Sequence, residues 1–185
     1  MNITQYFTDV RVFCETNNYW NIPETEALYL YELIIKRGYK QIIEYGTGCG
    51  YSTLWLAAAA KLNCGTVITI ESHKKRYDIA RAFFKQYNAL NIITQISGHC
   101  PECFIDCQGV YDFIFIDIVK KHYLDSFKNS IRLLADNGVI IADNILTHKQ
   151  ETSDFIDYIK SLNNFTTEII EIGNGFAVTS VNYKN

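Results

Sequence analysis

The chain has 185 residues, a formal charge of −3, and 48% hydrophobic against 20% charged residues. That apolar content is enough to build a core, which excludes disorder as the main state. The strongest apolar runs, residues 54–60 and 113–118, fall far short of the ~20 residues of a membrane span, and the acidic balance argues against a broad nucleic-acid footprint.

The first residues carry neither a basic nor an apolar leader region, so the six cysteines are expected as reduced thiols in a cytoplasmic protein. With two prolines, ten glycines and no repeat, residues 1–185 read as one domain. Residues 1–20 are mixed and aromatic and predict a short helix. Pro23 followed by Glu24 and Glu26 opens a helix that Gly38 stops after Arg37. A strand is expected over 41–45, an Ala/Leu-rich helix over 51–62, and a β-branched strand over 66–71. Next come a charged amphipathic helix over 74–87, strands over 92–97 and 111–117, a helix over 121–134, a strand over 139–142 and a helix over 151–162. Strands over 165–172 and 176–181 flank Gly173-Asn174-Gly175 as a hairpin. Short apolar strands alternating with helices indicate an α/β fold with a parallel sheet covered on both faces. The hairpin makes one strand antiparallel.

The stretch Glu44-Tyr45-Gly46-Thr47-Gly48-Cys49-Gly50-Tyr51-Ser52 follows the first strand and opens a helix. Open α/β sheets bind ligands at the carboxyl ends of their strands, beside the switch in strand order. A nicotinamide fingerprint needs a third glycine where Tyr51 stands. The spacing found, G-x-G-x-G after an acid, fits a nucleoside ligand without pyrophosphate. Glu71 ends the second strand, where an acid can accept both ribose hydroxyls; a solvated strand end is the plainer use. Asp117 closes the fourth strand, and Asp143-Asn144 follow the fifth. Neighbouring strand ends bring these three oxygen donors together, a set suited to a hard cation such as Mg²⁺. Helix capping and turn formation are the alternative uses of the same residues.

These motifs, with Phe113-Ile114-Phe115-Ile116-Asp117, Ala142-Asp143-Asn144 and Gly173-Asn174-Gly175-Phe176, resemble class I S-adenosylmethionine-dependent methyltransferases. The nearer likeness is to the metal-dependent catechol and caffeoyl-CoA O-methyltransferase family, across residues 42–176. The resemblance implies a Rossmann-like three-layer α/β/α sandwich with a seven-stranded, mostly parallel sheet. It implies S-adenosylmethionine and Mg²⁺ or another divalent cation as cofactors, and a small hydroxylated, catechol-like acceptor. The cofactor would lie against Glu44, Gly46, Thr47, Gly48, Gly50, Tyr51, Ser52, Glu71, Ser72, Gly98, His99, Cys100 and Asp117. Asp117, Asp143 and Asn144 would hold the metal, and Lys120, three residues after Asp117, would be the general base. The alternative use of Lys120 is a solvated helix-start lysine beside Lys121.

Two positions depart from the family pattern. Val119 replaces the second aspartate of the caffeoyl-CoA branch, and Ala177 replaces an acid of the catechol branch. Two further readings therefore stay open, a tRNA nucleoside as acceptor, with phosphates on Lys74, Lys75, Arg76 and Arg81, and a non-catalytic cofactor-binding module. Cys100, Cys103, Cys107 and His99 have some zinc-site character but lack a second C-x-x-C pair. The N-terminal aromatics are expected to pack in the core, line an acceptor pocket or form a homodimer interface.

Overall fold

The computed structural model describes residues 3–105 and 108–182. One seven-stranded sheet runs through it: β1 (Gln41–Tyr45), β2 (Thr66–Glu71), β3 (Ile93–Ser97), β4 (Tyr111–Ile116), β5 (Leu134–Ala142), β6 (Phe165–Ile170) and β7 (Phe176–Val181), in the order β3-β2-β1-β4-β5-β7-β6. The β1/β2, β2/β3, β1/β4 and β4/β5 pairs are parallel, and β7 runs antiparallel to both β5 and β6. The order therefore switches direction between β1 and β4. The glycine stretch leaves β1 and Asp117 leaves β4 at that point, the carboxyl-end crevice where such sheets take ligands.

Helices α1 (Ile3–Thr16), α2 (Glu24–Arg37), α3 (Tyr51–Leu62) and α4 (Lys74–Gln86) pack with one apolar cluster; α5 (Tyr123–Ile131) and α6 (Ser153–Lys160) pack with a second. In α1, Tyr6, Phe7, Val10 and Cys14 are buried, a helical stripe that makes the N-terminal segment a 14-residue helix rather than a short one. Pro23 occupies the N-cap of α2, and Gly38, at φ 71°, ends it as the Tyr39 N–H turns back to the Ile34 carbonyl. In α3, Tyr51 through Ala60 are all buried. This helix is sandwiched between the sheet and α1 and α2, so its Ala-rich composition reflects close approach on all sides.

The expected helix over 121–134 is shorter. A 3₁₀ turn at Lys120–His122 precedes α5, which ends at Ile131. The Tyr111 N–H donates to the Leu133 carbonyl at 2.7 Å, and Tyr111 pairs with Leu134. Sheet pairing thus takes the last residues of the expected helix, and β5 begins at Leu134 rather than Val139. The register shifts between the Tyr111–Leu134 and Phe113–Val139 pairs, an irregularity that spans Asn137 and Gly138 within β5. The helix expected over 151–162 is trimmed to Ser153–Lys160, and β6 ends at Ile170 rather than 172. No helix among the described residues is long and apolar enough to cross a membrane.

Candidate active site

The loop after β1 is shaped from beneath. The Gly46 and Thr47 N–H groups both donate to the Ile70 carbonyl at 3.0 Å. Gly46, at φ 100°, lies so near the backbone of Asp117 that an added Cβ would stand 1.9 Å from the Asp117 carbonyl oxygen. Glu44 is fully buried under the loop. Its Oε1 accepts from Ser52 Oγ at 2.5 Å, and its Oε2 accepts from the hydroxyls of Thr53 and Thr69. Burial pushes its carboxyl up to about 7 against the pull of those three donors. Glu44, expected at the cofactor, thus reaches the loop from the core side and acts as a brace. Thr47 is similar: its hydroxyl meets Thr69 Oγ1 at 2.6 Å, below the surface.

Glu71 is 3% exposed at the end of β2. Its Oε2 accepts from the Gly48 N–H at 2.9 Å. Its Oε1 accepts from the His73 N–H at 2.8 Å and from Arg76 Nε and Nη2 at 3.0 and 2.6 Å. This carboxylate joins the glycine loop to the turn beyond β2, and it is no solvated strand end. Arg76, expected on a phosphate-binding face, is instead its ion-pair partner. Lys74 pairs with Asp78 at 2.6 Å, and Lys75 lies over the Tyr19 ring. Ser72 and His73 are exposed on the turn itself, as is His99 beyond β3; Gly98 and Cys100 are half-buried there.

A cleft opens between the loop and the segment joining α1 to α2. Gly46, Thr47, Gly48, Cys49, Tyr51, Ser52 and Asp117 line one side, Trp20, Asn21 and Ile22 the other. Tyr51 is 2% exposed and packs edge-on against Trp55. Of the N-terminal aromatics, Tyr6 and Phe7 are core residues. Trp20 is the exception, 94% exposed at the mouth of the cleft.

Asp117 leaves β4 beside this cleft, and Asp143-Asn144 leave β5. Lys120 Nζ donates to Asp117 Oδ1 at 3.3 Å, to the Ile118 carbonyl at 3.2 Å and to Asn144 Oδ1, and lies 5.0 Å from the centre of the Tyr123 ring. Its side chain is 14% exposed. It is therefore no solvated helix-start lysine; Asp117 and Asn144 converge on one positive charge. Asn144 takes a left-handed φ of 61°, and its N–H donates to Asp143 Oδ1 at 2.6 Å. Tyr123 donates to the Asp143 carbonyl at 3.1 Å, fixing the end of β5 from below.

Glu26 also belongs here, although its sequence context showed only an acid in the first turn of α2. It is fully buried, and its Oε1 accepts the Asn174 N–H. Its Oε2 has no hydrogen-bond partner among the described residues. Burial pushes Glu26 up to about 7, with the Asp117 charge adding to it. Burial, then the charges of Asp117 and Glu26, push Asp143 up to about 9. Asp117 and Asn144 on the Lys120 ammonium, with Asp143 and Glu26 near enough to feel the Asp117 charge, form an oxygen-rich set whose donor type suits a hard dication. No three His, Cys, Asp or Glu side chains among the described residues gather closely enough to hold a metal by themselves. The Asn144 amide and non-protein oxygens would have to complete any such shell. The same finding leaves the zinc reading without support; Cys107 lies outside the described residues.

A family model described as O-methyltransferase matches residues 5–173. The chain belongs to this O-methyltransferase family. Among curated members, a catechol O-methyltransferase from Niastella koreensis is 32% identical over 58% of this chain and 50% of the relative. A flavonoid 3′,5′-methyltransferase from Vitis vinifera is 27% identical over 78% and 66%. The matches span about half to two thirds of these relatives. A crystal structure of a caffeoyl-CoA O-methyltransferase candidate from Staphylococcus aureus superimposes with TM-score 0.88, covering 95% of this chain and 92% of that one at 25% identity. An O-methyltransferase from Bacillus cereus in complex with SAH gives TM-score 0.86 over 96% and 91% at 24% identity. At that identity it speaks for the fold, which is the expected seven-stranded α/β sandwich. Ala177, where the resemblance led to an acid in the catechol branch, lies on β7, is 1% exposed and pairs with Ala142, so a core residue fills that position.

Proposed function

We propose that this O-methyltransferase family member transfers the methyl group of S-adenosylmethionine to a hydroxyl of a small aromatic, catechol-like acceptor, with Mg²⁺ or a similar dication held by Asp117, Asp143 and Asn144. The observation that carries this reading is the convergence of Asp117 and Asn144 on one cationic centre beside the glycine loop. Relatives named as catechol and flavonoid methyltransferases support the acceptor class.

The loop from Gly46 to Ser52 offers backbone to the methyl donor, and Glu71, already on the Gly48 N–H, is placed for ribose hydroxyls. A dication bound at these residues would acidify and orient an acceptor hydroxyl. Lys120 Nζ, in its neutral amine form, would be the chain's own group to take that hydroxyl's proton. Strand ends fixed by Glu44 and Tyr123 hold the two reactants in line. Trp20 offers an exposed aromatic face at the entrance.

The reading is tested by incubating the protein with S-adenosylmethionine and a panel of catechols, with Mg²⁺ or with chelator. Methylated product should form with Mg²⁺ and fall by on the order of 10²-fold or more with chelator or in Asp143→Ala, following the size of metal contributions to catalysis. Binding of S-adenosylhomocysteine should survive that substitution. Turnover indifferent to chelator would remove the dication, and product from no acceptor would remove the catalytic reading. The tRNA alternative has less to stand on, because Lys74 and Arg76 are engaged with Asp78 and Glu71; salt-sensitive binding of tRNA would restore it.

A further inference from the structure

Beyond β3 the chain reads Gly98-His99-Cys100-Pro101-Glu102-Cys103, and the chemistry proposed above uses neither sulfur. Cys100 Sγ and Cys103 Sγ lie 3.2 Å apart, about 1 Å beyond the bonding distance of a disulfide, so the two side chains already face each other. Their access differs. Cys103 is 6% exposed and sits in the apolar cluster with Ile70 and Tyr111. Cys100 is half-buried at its edge. The Cys103 N–H donates to the His99 carbonyl at 2.8 Å, which holds the turn between the two thiols closed. Elsewhere, Cys64 is exposed, whereas Cys14 and Cys49 are buried.

We propose that Cys100 and Cys103 form a dithiol/disulfide couple that exchanges with a low-molecular-weight disulfide such as oxidised glutathione, Cys100 receiving the incoming sulfur and Cys103 resolving it. The Cys100 thiol gives its proton to solvent, and its sulfur attacks one sulfur of RS–SR. A Cys100–S–S–R bond forms, and RS⁻ leaves and is protonated. Cys103 then loses its proton and attacks Cys100 Sγ, expelling the second RS⁻. In sum, a protein dithiol and RS–SR become a protein disulfide and two RSH; the protein gives up two electrons and the small disulfide accepts them.

The test incubates the full chain with oxidised glutathione, traps remaining thiols by alkylation and maps the peptides by mass. Wild type should carry a Cys100–Cys103 link and no adduct at either residue. Cys103→Ser should accumulate glutathione on Cys100. Cys100→Ser should leave Cys103 unmodified, because it is shielded. Cys107→Ser should behave as wild type. Adducts confined to Cys64, a link from either sulfur to Cys107, or a lasting adduct on Cys100 in wild type would each overturn the assignment.

Residues 98–100 are also among those expected against the cofactor, so a further consequence follows that rests on the methyl-donor reading. Drawing Cys100 toward Cys103 shifts that stretch, so oxidised protein should bind S-adenosylhomocysteine on the order of threefold more weakly or worse by calorimetry. Equal affinity in both states would overturn this consequence. Absence of binding in both states would count against the methyl-donor reading alone, since mass mapping decides the disulfide separately.

Discussion

Glu44 is a fully buried ionisable residue, and three hydroxyls from α3 and β2 are spent on it. Its folded pKa, about 7, lies above the ordinary 4.5 because burial disfavours the charge. The folded state therefore holds a proton that the unfolded chain has released between those two values. Its contribution to stability is complete below the unfolded pKa and is lost as pH rises through the folded one. Glu44→Gln keeps a hydrogen-bonding side chain and removes the titration. The substitution should leave stability near wild type at pH 5 and make the variant comparatively more stable at pH 8. Thermal unfolding of both proteins across that range checks this; a difference that does not vary with pH would show that Glu44 is not titrating. Glu26 and Arg76 show why such residues were hard to read from the chain. The partner of Glu26 is Asn174, 148 positions away, and Arg76 looked like surface charge until β2 placed Glu71 beside it.

At the scale of elements, local chemistry was legible wherever it decided the outcome. Pro23, Gly38 and the G-x-G-x-G stretch marked ends that coincide with α2, β1 and α3. The α5/β5 junction was not legible, because Leu133 and Leu134 fit a helix equally well and only pairing with Tyr111 decides for the strand. The convergence of Asp117 and Asn144 could be inferred from strand ends, but the place of Lys120 between them depends on a 3₁₀ turn that no sequence period signals. Two glycines separate the sources of rigidity. Gly38 and Gly46 both have positive φ, yet an added Cβ meets nothing at Gly38 and overlaps the Asp117 backbone at Gly46. Gly38→Ala should cost about 1 kcal/mol, the left-handed penalty alone. Gly46→Ala adds a steric clash and should cost about 3 kcal/mol or more. Urea unfolding measures both. Equal costs would mean that the loop yields and that contact between β1 and β4 does not fix its shape.

Over the whole molecule, apolar clusters on both faces of the sheet close the fold, and the strand ends carry the proposed chemistry; α1 and the segment after it serve both. Phe7 lies edge-on to Trp55 at 4.8 Å and beside Tyr87 at 5.2 Å, so α1 is clamped to α3 and the end of α4. A few residues on, Trp20 borders the cleft with its ring in solvent. Stability and recognition should therefore come apart within this short stretch. Phe7→Ala leaves a cavity in the largest apolar cluster and should cost about 3–5 kcal/mol. At temperatures where that variant is folded, its affinity for S-adenosylhomocysteine should be unchanged, since Phe7 does not line the cleft. Trp20→Ala removes almost no buried area, so stability should move by less than about 0.5 kcal/mol. A catechol acceptor, in contrast, should lose on the order of tenfold in apparent affinity with the lost aromatic face. Chemical denaturation paired with KM measurements resolves the two effects. If Trp20→Ala lowered stability as much as Phe7→Ala, or left KM untouched, the segment between α1 and α2 would be packing rather than part of the acceptor site.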